Sequence, residues 1–179
     1  MTSDQTVYVA QGEYQTTDQD HVLLSTVLGS CVAACIWDPE AKLGGMNHFL
    51  LANSSEPDTA KPDAAKSLRY GVNAMEMLIN DLLKKGARRF ALRAKLFGGA
   101  NMASNLGEIG ASNARFAKQF LATEDIPCLA ESLGGTNARR VMFRPTLGLV
   151  RQMIVQNGDF VERSAPVREP APKHQPILF

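Results

Sequence analysis

Two residues capable of covalent chemistry sit in one apolar stretch, "LLSTVLGSCVAACIWDPEAKLGGMNHFLLA", which runs from residue 23 to 52. Cys31 follows a small Leu28-Gly29-Ser30 step, and His48 stands seventeen positions later. A free thiol is mostly protonated at neutral pH; an imidazole beside it can take the proton and hold a thiolate–imidazolium pair. The small residues before the cysteine favour an exposed sulfur and leave backbone N–H groups to stabilise an oxyanion, each worth ~10²–10³ in rate. Ser25 and Thr26 are the nearby hydroxyls that could orient the imidazole. The bland alternative is that Cys31 fills core space and His48 is a hydrogen-bonded core group. Cys31, Cys35 and His48 would form a zinc site only with a fourth ligand, and the sequence offers no convincing one. Cys35 and Cys128 read as structural.

Whether Cys31 and His48 can meet depends on the strands that carry them. "VAACIW" and "GMNHFLLA" read as a hairpin joined by the turn residues Asp38-Pro39-Glu40-Ala41-Lys42. With Trp37 opposite Gly44, His48 falls opposite Ala33, and Cys31 becomes its diagonal neighbour on the same face. Such diagonals lie roughly 7–8 Å apart between α-carbons, within reach of an imidazole. A slip of one residue would put the pair on opposite faces.

The remaining elements follow from periodicity. "TVYVAQGEY" reads as a first strand and "HVLLSTVL" as a second. Leu68, Val72, Met75, Ile79 and Leu82 recur at helical spacing until Gly86 ends the helix. In "RRFALRAKLFGG", Phe90, Leu92, Ala94 and Leu96 alternate with polar or small residues, as a half-buried strand requires. A second helix is expected over residues 111–124, with Phe116, Phe120 and Leu121 inward. "CLAESLGG", "ARRVMFRP" and "GLVRQMIV" read as three strands, the last two joined at Thr146-Leu147-Gly148. The paired glycines Gly98-Gly99 and Gly134-Gly135 need no role beyond turn formation. The result is an α/β domain of mixed, largely antiparallel sheets packed with two main helices.

Length and composition bound the function. The chain has 179 residues, 45% hydrophobic and 21% charged, with net charge +1. That predicts one domain over residues 1–157, with no general attraction to nucleic acid or anionic membranes. No apolar run approaches the roughly 20 residues of a membrane span, and no leader is evident at the N-terminus. Three cysteines do not suggest a disulfide framework, so a cytoplasmic setting is expected. Residues 158–179, which include Pro166, Pro170, Pro172 and Pro176, read as a disordered or docking tail.

The block "LGSCVAACIWDPEAKLGGMNHFLL" resembles the signature of the chemoreceptor glutamine deamidase family, CheD. "RYGVNAMEMLINDLLKKGA", "AKLFGGANM", "IGASNARFAKQFL" and "LGGTNARRVMFRPTLGLV" resemble further family blocks in the family's order. The resemblance covers residues 7–155. It implies a layered sandwich like that of cytotoxic-necrotising-factor-like deamidases. It also implies a bacterial enzyme hydrolysing glutamine side chains of methyl-accepting chemotaxis receptors to glutamate and ammonia. Cys31 would be the nucleophile, His48 the base, and Ser25 the residue at the family's third position, usually a threonine six residues before the cysteine. No metal or cofactor is implied. A CheC-type phosphatase is the further partner that the resemblance suggests, and a non-catalytic adaptor of receptors and that phosphatase is the alternative function.

Overall fold

Until its last residue the run Val32–Asp38 contains only apolar or small side chains, a composition that can bury both faces of a strand. The computed structural model describes residues 3–51, 64–102 and 108–156, and in it every residue of this strand is buried. It is β4, the middle of a five-stranded sheet. In chain order the other strands are β1 (Gln5–Tyr8), β2 (Tyr14–Thr17), β3 (Val22–Leu28), β5 (Leu43–Asn47), β6 (Arg93–Gly98), β7 (Cys128–Leu133), β8 (Ala138–Arg144) and β9 (Leu149–Val155). The helices are α1 (Ala64–Lys84) and α2 (Ile109–Thr123). The five-stranded sheet has the order β2-β5-β4-β6-β7, and a four-stranded sheet the order β1-β3-β8-β9. Among the described residues, only β1–β3 and β6–β7 pair in parallel.

Alternation along β4 divides two cores. Val32, Ala34 and Ile36 point to the helices, against Met75, Leu78, Ile79 and Leu82 of α1 and Phe116 and Phe120 of α2. Ala33, Cys35 and Trp37 point to the four-stranded sheet, against Val22, Leu24, Leu28, Val141 and Phe143. The molecule is therefore helices on sheet on sheet, the mixed α/β sandwich expected. Gly45 of β5 admits the close contact: a Cβ there would lie 2.5 Å from the Gln15 carbonyl oxygen and 2.8 Å from Leu78.

Several expectations are corrected. The first strand does not continue through Glu13. Gly12 adopts φ +85, a conformation glycine reaches without cost, and the chain there leaves the four-stranded sheet to begin β2 in the other. The alternation starting at Phe90 begins only at Leu92, because Arg89–Ala91 forms a 3₁₀ turn. Phe90 is 79% exposed, under the Arg88 guanidinium. Leu68, on the helical stripe, is likewise exposed. Gly86 stops α1 as expected, at φ +106. The tail, residues 158–179, and most of the polar loop over 53–66 lie outside the described residues. Among the described residues, no helix is long and apolar enough to cross a membrane.

The β4–β5 turn is held by one carboxylate. Asp38 Oδ1 accepts from the Glu40 and Ala41 amides at 2.9 and 3.0 Å, and Oδ2 accepts from the Arg88 amide at 2.9 Å. Burial alone would raise the Asp38 pKa, but these amides and the Arg88 charge outweigh it and hold it below the ordinary 3.8. A depressed folded pKa contributes stability that is present above about pH 4 and lost as pH falls through the folded value. Asp38→Asn should cost about 1–3 kcal/mol at pH 7, and urea unfolding should show that deficit shrinking on acidification below pH 4.

Candidate active site

The hairpin register decides what faces what. Cys35 pairs with Met46 and Trp37 with Gly44, and an isolated bridge joins Val32 to Phe49. His48 therefore stands opposite Ala33, with Cys31 diagonal to it, as the sequence suggested. Cys31 belongs to the core between the two sheets, with Ala33, Cys35 and Trp37.

The third residue differs from expectation. Ser25 is not beside the imidazole; Thr26 is. Along β3, Leu24, Thr26 and Leu28 face the inter-sheet core, whereas Ser25 shares the outer face with Leu23, because neighbouring strand residues point to opposite faces. Thr26 Oγ1 lies 2.8 Å from His48 Nδ1 and donates to the Val9 carbonyl at 2.7 Å. A hydroxyl has one proton to give. With that proton on Val9 O, Nδ1 must carry its own hydrogen and donate to Oγ1. The lone pair then belongs to Nε2, so the contact defines the tautomer as well as the ring's orientation. Val9 O also lies 3.4 Å from Nδ1.

The loop before β4 is fixed through three successive carbonyls. Gly29 O accepts from the Ala100 amide at 2.9 Å, and Cys31 O from the Gly99 amide at 2.7 Å. Ser30 O accepts from Asn113 Nδ2 at 2.8 Å. Asn113, fully buried on α2, also accepts from the Leu51 amide at 2.9 Å. One side chain thus ties the Cys31 loop to the segment after His48. Gly98, at φ +110, has no room for a Cβ, which would collide with the Cys31 carbonyl oxygen. Gly98 and Gly99 are therefore more than turn punctuation. Sequence reasoning passed over Asn113, although an asparagine on the inner side of an amphipathic helix was the available signal.

The sulfur is not at an accessible spot, contrary to what the small residues before it suggested. Cys31 and Thr26 are 0% exposed and His48 is 1%. Cys31 Sγ donates to Gln11 Oε1 at 3.6 Å. Tyr70 of α1 is close enough for charge on Cys31 to matter: burial first, and that charge second, push its phenol up. Of the other thiols, Cys35 is fully buried and strongly pushed up by burial. Cys128 is exposed at the start of β7, so it is not a core residue. Among the described residues, no three histidine, cysteine or acidic side chains converge as metal ligands would.

Fold and site together define a three-layer α/β sandwich whose sheets enclose a cysteine, a histidine and a threonine. The family model for CheD chemotactic sensory transduction matches residues 50–153, a span that begins just after His48. A Zymomonas mobilis protein named "Probable chemoreceptor glutamine deamidase CheD" is 55% identical over 91% of this chain and 87% of its own. A Caulobacter vibrioides protein of the same name is 51% identical over 96% and 88%. The chain belongs to the CheD family. A Neisseria meningitidis protein of known structure is similar at 9% identity, over 74% of this chain and 63% of that one, with a TM-score of 0.44.

The hydrogen-bond pattern predicts a spectroscopic outcome. Nitrogen-15 NMR of His48 in its neutral form should report the Nδ1–H tautomer. Thr26→Val should shift that signal toward a tautomer mixture and cost about 1–3 kcal/mol for the buried donor left behind. Ser25→Ala should leave the spectrum unchanged.

Proposed function

We propose that this protein hydrolyses the side-chain amides of particular glutamines in methyl-accepting chemotaxis receptors, with Cys31 as nucleophile, His48 as acid–base and Thr26 as the residue orienting His48. The observation that carries this reading is the same-face placement of Cys31 and His48 across the β4–β5 hairpin, with the imidazole held from the opposite sheet. The names of the relatives supply the substrate class.

In this mechanism Nε2 takes the Cys31 proton, and the thiolate adds to the glutamine Cδ. Backbone N–H groups at Ser30 and Cys31, on the loop held by Gly99, Ala100 and Asn113, stabilise the oxyanion. The imidazolium protonates the nitrogen, the C–N bond breaks, and ammonia leaves a thioester. Water, deprotonated by Nε2, then adds to the thioester carbon; the C–S bond breaks and glutamate is released. The Thr26 hydroxyl keeps Nε2 as the basic nitrogen throughout. It brings no full charge, so it contributes positioning rather than electrostatic stabilisation of the imidazolium.

Mass spectrometry of receptor cytoplasmic fragments after incubation tests the reading. Peptides should gain roughly one dalton at specific glutamines, since hydrolysis replaces an amide by an acid. Cys31→Ala should abolish the gain, and His48→Ala should lower its rate by roughly 10²–10⁴-fold. Thr26→Val should slow it less, Cys35→Ala should alter it little, and chelators should have no effect. Receptor binding with no mass change would favour the non-catalytic adaptor. Normal turnover in Cys31→Ala would refute the assigned nucleophile.

A further inference from the structure

The sulfur required by the proposed reaction is wholly buried, and a group lying against it is itself a glutamine. Gln11 stands on the segment that crosses between the two sheets, just before the residues that pair with the His48 backbone. This segment is pinned on both sides of Gln11. Before it, the Val9 amide donates to Ser25 O at 2.8 Å, and Val9 O accepts from Thr26. After it, the Gly12 amide donates to His48 O at 2.7 Å, and the His48 amide donates to Glu13 O at 3.0 Å. Tyr70 closes another side, its hydroxyl 3.6 Å from where a Cβ on Gly12 would sit. Between these pins the half-buried Gln11 side chain reaches Cys31 Sγ with its Oε1.

A carboxamide on an ethylene stem is the group that the proposed substrate would present to Cys31. In the observed contact the sulfur meets the oxygen end of that group. Attack requires the sulfur above the carboxamide plane at carbon, with the oxygen turned toward N–H donors. An S–H···O hydrogen bond provides neither, so the carboxamide is held without being consumed. We propose that Gln11 is an internal stand-in for the substrate glutamine, occupying its place against Cys31 until an incoming receptor side chain displaces it. Because the backbone is tied to His48 and β3, opening is a rotation of the Gln11 side chain and not a movement of the segment. The proposal rests on Cys31 being the nucleophile, and it accounts for a reactive group with no exposure in a protein that must accept a side chain from a folded partner.

The test is the rate at which iodoacetamide alkylates each cysteine, read by peptide mapping of the full chain. Exposed Cys128 serves as an internal reference. Gln11→Ala should raise the Cys31 rate by about tenfold, the penalty set by a gate open about a tenth of the time, with the Cys128 rate and melting temperature unchanged. Gln11→Met has the length but not the carboxamide, and it should raise the Cys31 rate as well. With receptor fragments, Gln11→Ala should lower KM while leaving kcat near its starting value. An unchanged Cys31 rate in both variants would overturn the proposal. So would finding residue 11 converted to glutamate in the wild-type protein but not in Cys31→Ala, because Gln11 would then be a substrate. Alkylation does not depend on turnover, so failure of the gate is distinguishable from failure of Cys31 as nucleophile.

Discussion

Burial of both faces of β4 is the constraint on which the architecture depends. A strand covered on one side by helices and on the other by a sheet cannot slip by one residue without exchanging its two sets of side chains. Here the exchange would drive Trp37 and Cys35 into the helical layer and leave Ile36 against Leu24 and Phe143. The register with β5 is equally restricted, since Gly44 and Gly45 lie where neighbouring backbone leaves no space for a Cβ. Packing alone therefore sets Cys31 and His48 on the same side of their sheet, without any direct attraction between them.

Placing polar groups in such an interior is costly unless each finds a partner. Several of the groups around the hairpin find theirs on loops as well as strands. Thr26 and the Val9 carbonyl meet His48 Nδ1 from the opposite sheet, and Asn113 satisfies Ser30 O and the Leu51 amide together. Asn47 does the same one residue before His48, accepting from the Ala34 amide at 2.9 Å and donating to Ala74 O at 3.2 Å. The helices thus reach the hairpin through amides, not only through hydrocarbon. The groups that hold the site are groups that would otherwise be buried without these partners.

The sequence carried the hairpin well because its information was local. Turn residues at 38–42 and a strict period of two determine which residues face together, and both are visible within twenty positions. Helix α1 was legible for the same reason, through Met75, Ile79, Leu82 and Gly86. What failed was non-local. Choosing between Ser25 and Thr26 required knowing which face of β3 meets the other sheet, and a matched family position pointed to the residue on the wrong face. The crossing at Gly12 was hidden because "VAQGEY" has the composition of one continuous strand, and only the left-handed glycine splits it. Gln11 could not be singled out until that crossing placed it against Cys31. The burial of Cys31 was equally invisible, since small residues before a thiol leave room for solvent or for another side chain alike.

Thr26 and Cys31 are five residues apart in the chain, yet Thr26 lies in one sheet and Cys31 immediately precedes a strand of the other. β3, which carries Thr26, is flanked by β1 and by β8, and its pairing with β8 joins residues separated by more than a hundred positions. Strand pairing over such distances requires closing a long loop before any contact rewards it, which makes this step slow in folding. On the ribosome, the hairpin of β4 and β5 is available early, but the sheet opposite it stays open at β3 until the last strands emerge. The contact of Thr26 with His48 across the two sheets is therefore locked in only near the end of synthesis.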